Sequence, residues 1–241
     1  MHRRYQLKMS LSFTLSGNSY ILSKDVYPVE KLEGDEPYYI GLVDLEVFNS
    51  FPDVDIENNL FYVKKGSEEV QEIKIPVGCY EIKELEQFLQ AQLGEEVITL
   101  TANIPTSQTI LTCKYTVDFT LPNTIGPLLG FSSKILQGNN KHYSDLPVRI
   151  TKVTSILVDC NLVTGSYLNG VSGHILHQFA ATTPPGYKIV EVPANVIYLP
   201  VNTKIIDNIT VKLTDQDGNP LNLRGETVTI RLHLKRYGFH I

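Results

Sequence analysis

The chain has 241 residues, 42% of them hydrophobic, and a formal net charge of −5. That length can bury a substantial core as one large β domain or two small ones, and the acidic balance argues against a dedicated nucleic-acid binder, whose footprint is a basic domain. No apolar stretch approaches the roughly 20 residues needed to cross a bilayer, and the N-terminus lacks a signal-peptide core, so a soluble protein not secreted by the standard route is expected.

The first residues depart from the acidic balance. Met1 to Lys8 hold Arg3, Arg4 and Lys8 and no acid, which reads as a solvated basic terminus or as an arm touching a partner or a genome. Met9, Leu11, Phe13 and Leu15 then alternate with Ser10, Ser12, Thr14 and Ser16, predicting a strand with one wet face that ends at Gly17-Asn18. Tyr38 to Phe48 is a denser apolar run, as expected of a strand covered on both sides, with Asp44 and Glu46 marking a face only partly covered. Leu60 to Val63 and Ile73 to Val77 read as short strands around the charged turn from Lys64 to Glu69.

One helix is expected, because Ile82, Leu85, Phe88, Leu89 and Leu93 fall three or four apart while Lys83, Glu84, Glu86, Gln87 and Gln90 fill the opposite face. Gly94 is placed to end it. Val97 to Thr101 and Ile110 to Phe119 follow as strands, then Pro127 to Phe131 as a short helical turn, and Gln137 to Ser144 as an exposed polar loop. From Pro147 the pattern is purely β, over Val148 to Leu162, His174 to Ala180, Lys188 to Val192 and Val196 to Leu199, with Thr182 to Gly186 as a rigid loop.

The clearest signal comes last. Ile209, Val211 and Leu213, then Val228, Ile230, Leu232 and Leu234, alternate with polar residues and read as a long β-hairpin with one buried face. Asp215-Gln216-Asp217-Gly218-Asn219-Pro220 supplies the reversal, and the change from odd to even register after Leu221 and Leu223 places a bulge at Gly225. Short strands with Gly and Pro turns describe a mainly β chain. The expected architecture is a single jelly-roll β-sandwich over 1–241 with a helix-bearing α+β insertion at about 66–131.

No catalytic, cofactor-binding or metal-ligating residues are predicted. His174 and His177 are close in sequence, but three apart on a strand they point to opposite faces and cannot share a metal. Asp215 to Gly218 lacks the alternating third acid and distant Glu of a calcium loop. There is no GxSxG elbow, Walker loop or GxGxxG after a strand, and Arg224-Gly225-Glu226 reads as structural. Cys79, Cys113 and Cys160 stand far apart beside apolar runs, as small thiols of a reducing compartment. Thirteen tyrosines and no tryptophan suit subunit interfaces as well as sheet faces.

Several pieces in order carry a resemblance: Gly78-Cys79-Tyr80 leading the Leu85, Leu89 and Leu93 helix; Leu128-Leu129-Gly130-Phe131; Ile197-Tyr198-Leu199-Pro200; and Asp207 to Val211 with Leu223-Arg224-Gly225. From about residue 40 to 235 the chain resembles the minor capsid, or penton, protein of Polinton/Maverick elements and related adintoviruses, with virophage pentons more distant. The resemblance implies a non-enzymatic structural subunit of a virion, forming a homopentamer at the fivefold vertices of an icosahedral shell. Its implied partner is a double jelly-roll major capsid protein, with weak genome contact through the N-terminal arm and no membrane contact. It does not distinguish nucleus from cytoplasm as the place of assembly. The alternative class is a carbohydrate- or receptor-binding β-sandwich head, which would expose aromatic platforms; a cupin-type hydrolase would need a histidine-rich strand pair that is not seen.

Overall fold

The structure, a computed structural model, describes residues 10–149 and 152–236. The chain divides into two compact units, one made of residues 1–50 and 153–241, the other of 51–152. Before the division run β1 (Ser10–Gly17), β2 (Ile21–Lys31) and β3 (Tyr38–Phe48). The second unit holds β4 (Leu60–Lys64), β5 (Val70–Lys74), α1 (Ile82–Leu93), β6 (Ile98–Asn103), β7 (Gln108–Cys113), β8 (Thr116–Asp118), β9 (Ile135–Leu136) and β10 (Asn140–Pro147). The first unit then resumes with β11 (Ser155–Cys160), β12 (Ser166–Leu168), β13 (Val171–Gly173), β14 (Ile175–Ala180), β15 (Lys188–Glu191), β16 (Leu199–Pro200), β17 (Ile205–Thr214) and β18 (Val228–Arg236).

In the first unit one antiparallel sheet runs β1-β18-β3-β15, with β16 on another part of β3, and a second runs β14-β11-β17-β2. Chain-consecutive strands thus fall mostly in opposite sheets, which is the jelly-roll arrangement. Ile209, Val211 and Leu213 from one sheet and Val228, Ile230, Leu232 and Leu234 from the other are all at most 1% exposed. Their alternation is therefore the inner face of both layers.

The expected hairpin between them is corrected by this topology. β17 pairs with β11 and β2, whereas β18 pairs with β1 and β3, so the connection crosses the sandwich instead of folding back in one ladder. Alternation specifies which face a strand buries but not which strand it pairs with. The parity change is taken up in the crossing loop, where Arg224 (φ +52°) and Gly225 (φ +81°) both turn left-handed. Asp215 anchors the loop's start, its carboxylate accepting from Asp217 N (2.9 Å), Asn219 N (2.8 Å) and Asn219 Nδ2 (3.0 Å).

The inserted unit folds around α1. Ile82, Leu85 and Leu89 are its buried face, packed in one core with Phe61, Phe119 and Phe131. Glu84 Oε2 accepts from Glu81 N (2.8 Å), half of a capping box, and Gly94 ends the helix at φ +107°. Two sheets flank it, β5-β4-β8-β9 and β10-β7-β6.

The insertion differs from its sequence reading in three ways. It spans 51–152, beyond the expected 66–131 on both sides, because β4 and β10 pair inside it. Gln137–Ser144 is not simply a loop: Asn140 to Tyr143 pair with Cys113 to Ile110 as an edge strand through backbone bonds, and Ser144 Oγ extends the pairing by accepting from Thr109 N (3.0 Å). Ile110 to Phe119 is two strands, β7 and β8, which belong to different sheets. Elsewhere, β11 begins only at Ser155, well after Pro147.

Candidate assembly surfaces

The residue types that sequence reading weighed for chemistry are engaged in structure. His174 Nδ1 donates to Val163 O (2.5 Å), whereas His177 Nε2 meets Glu191 Oε1 (2.8 Å), so the two histidines serve separate partners. Among the described residues no three His, Cys, Asp or Glu side chains are grouped to hold a metal ion. Arg224 N donates to Asn222 Oδ1 (3.0 Å) and Glu226 N to Leu223 O (2.9 Å), closing Arg224-Gly225-Glu226 into a tight turn.

All three cysteines are free thiols, with Cys113 and Cys160 buried and Cys79 half-buried. Burial pushes the Cys160 thiol up to about 11 and that of Cys113 upward as well, so neither is a thiolate nucleophile at neutral pH. No helix among the described residues is long and apolar enough to cross a membrane. The basic stretch His2 to Lys8 lies outside the described residues.

The sandwich instead presents surfaces, and the two kinds differ. Its outer faces are polar ladders. On one, Ser16 bonds Thr229 (2.9 Å), Ser10 bonds His233 (2.6 Å), and Arg231 pairs with Asp44. On the other, Ser23 bonds Thr210 (2.8 Å), and Asn208 Nδ2 donates to Asp25 Oδ1 (3.0 Å). Side chains so satisfied have little to gain from a partner.

The sheet edges, although they also carry charges, expose several large apolar side chains. On β2, Tyr27 is 96% exposed beside exposed Val29, with exposed Ile205 on the neighbouring β17. At the opposite edge of the sandwich, β15 and its flanks expose Tyr187, Val190 and Val192. Tyr187 stands on a fixed base: Asn49 N donates to Tyr187 O (2.9 Å), Gly186 N to Asn49 O (2.8 Å) and Asn49 Nδ2 to Thr183 O (2.5 Å). Because the backbone beneath the exposed ring is already held, little loop entropy remains to be lost when the ring is covered by a partner. The gap between the edge strands β14 and β15 is closed by the His177–Glu191 pair, 16% and 24% exposed.

A third apolar projection is the β12–β13 hairpin, which exposes Tyr167 and Val171. Asn169 (φ +50°) and Gly170 (φ +82°) make its two-residue turn, and the Asn-Gly dipeptide was the local signal that could have found it. β2 was also absent from the sequence reading. Pro28 and four charges interrupt it, yet a proline inside an apolar run marks an edge strand.

No protein-family model matches the chain, and no curated protein matches it. Among solved structures it is similar to the mavirus penton protein, in its selenomethionine-labelled crystal form, with a TM-score of 0.53 and 13% sequence identity over 96% of this chain and 100% of that one. The chain therefore has the fold of a penton protein.

Proposed function

We propose that the chain is a structural capsid subunit of penton type, which closes into a homopentamer at the vertices of an icosahedral shell beside a double jelly-roll major capsid protein. The observation that carries the reading is the shared fold across nearly the whole chain, both units included. The ordered sequence pieces resembling Polinton/Maverick pentons support it independently. Its place is the virion and its role is non-enzymatic, carried out through surfaces.

The surfaces described above support side-to-side assembly. A ring is built by heterologous contact, in which two different patches of each subunit meet, and the sandwich has two unlike apolar edges, around Tyr27 on one side and Tyr187 on the other. In this reading the chain is one jelly-roll domain carrying an inserted subdomain. Each interface in a ring stable on its own would bury at least about 1,000 Å².

Native mass spectrometry at micromolar concentration, followed by electron microscopy, tests the proposal. Five-membered rings are the expected result, weakened by Tyr27→Ala or Tyr187→Ala without loss of fold. A stable dimer or trimer would overturn it and favour the receptor-binding head, whose exposed tyrosines would then be a ligand platform.

A further inference from the structure

β6 is the outer strand of the β10-β7-β6 sheet, and antiparallel alternation turns the backbone groups of Ile98, Leu100 and Ala102 away from β7. Two of these groups are met by α1: Gln90 Nε2 donates to Ile98 O (3.1 Å), and Leu100 N donates to Glu86 Oε1 (2.9 Å). The helix thus blocks one end of the edge with its own side chains. Toward Ala102 that protection stops, and an open groove of about 440 Å³ runs between the strand and the start of α1, lined by Glu81, Ile82, Lys83, Glu86, Leu100 and Ala102. Leu100 and Ile82 are buried beneath it, so the floor is apolar, and two acidic residues and one basic residue line it.

We propose that this groove takes the basic stretch Met1–Met9 from a second copy of the chain, added to the open end of β6 as an extended strand. The inference rests on the self-assembly reading above and names one of its contacts. Charge favours this occupant, because Arg3, Arg4 and Lys8 come without an acid and the groove's carboxylates outnumber its cation. Pattern favours it too: Tyr5, Leu7 and Met9 alternate with Arg4, Gln6 and Lys8, so an extended segment turns one row to the apolar floor and the other to the carboxylates. Backbone bonds to an open edge supply affinity, and the alternate side chains supply choice of partner. Nine residues reach about 30 Å when extended, enough to leave one subunit and lie along a few residues of another.

The test is to titrate a labelled Met1–Met9 peptide onto the chain lacking residues 1–9 and follow fluorescence anisotropy. Saturable binding is expected, weakened about tenfold between roughly 50 and 500 mM salt. Glu86→Gln, which keeps an acceptor for Leu100 N, should weaken it about threefold or more. Ala102→Pro removes an outward N–H and should abolish it; N-methylation of the peptide at alternate residues should do the same with the protein untouched. Absence of binding overturns the proposal. So does preference of the peptide for a single-stranded DNA oligonucleotide, or capture of a Tyr237–Ile241 peptide in its place. Light scattering separates the two readings: rings that persist without residues 1–9, with no peptide bound, sink the groove alone, whereas peptide binding together with a full-length chain that forms no five-membered ring upholds the groove and overturns the ring.

Discussion

The two units reach a buried core by opposite routes. In the insert much of the pairing is local: β4 folds directly onto β5, β6 onto β7, and α1 packs on the strand that follows it, with β4 and β8 as the unit's longest strand pairing. In the sandwich it is remote, with Ser10 bonded to His233 across 223 positions of sequence. Local contacts form early and at low loop-closure cost, whereas remote ones wait for the whole chain. A segment that brings its own core can be carried between β3 and β11 without taking part in the sandwich's strand order.

The largest expected effect breaks that contrast directly. Removing β18, from Val228 onward, takes away the strand between β1 and β3 and should abolish the sandwich while the insert's amides keep their protection in hydrogen exchange. Loss of protection in both units together would show a single cooperative structure.

Phe119→Ala should come next. Its ring lies 6.0 Å from that of Phe61 and 5.2 Å from that of Phe131, and truncating such a buried aromatic costs about 3–5 kcal/mol. In urea unfolding this should lower the insert's transition alone, as Leu232→Ala should lower the sandwich's.

Asp53, in the insert's first segment, is 7% exposed. Burial raises its carboxyl to about 6, against weaker lowering by the backbone N–H groups of Lys152 and Tyr80. A raised carboxyl stabilises the fold when protonated, so its contribution is complete below pH 4 and is lost as pH rises through 6. Asp53→Asn, which keeps an acceptor for Lys152 N but has one oxygen where the carboxylate has two, should stabilise the insert at pH 7 by about 1 kcal/mol, less than the full 1.36 kcal/mol per pKa unit, and lose that gain at pH 4. Melting both proteins across that window checks the sign.

The smallest effect belongs to the sandwich. Because the His177–Glu191 pair is partly solvated, a double-mutant cycle at the two positions should return a coupling of only about 0.5–1 kcal/mol.

Much of the fold was legible where side chains dictate structure. α1 occupies Ile82–Leu93 and β3 occupies Tyr38–Phe48 as their patterns predict, because apolar spacing fixes which face is buried. Partnership was not legible: the rows at Ile209–Leu213 and Val228–Leu234 read as neighbours but lie in different sheets, since strand pairing is made by backbone groups that every residue shares. β2 and β10 were missed for the same reason, being edge strands with one solvated side. The candidate surfaces are such edges, and composition offered only a surplus of tyrosine.

β1 lies antiparallel to β18 with Ser10 opposite Lys235, so the two ends of the described chain leave from the same corner of one strand pair. Tension applied at Ser10 and Arg236 would load that pair like a zipper, opening its hydrogen bonds one after another instead of all at once in shear. The molecule should therefore be mechanically weak when pulled by its ends, and a short covalent joint between them would convert the zipper into a closed loop, moving the yield point elsewhere in the sandwich.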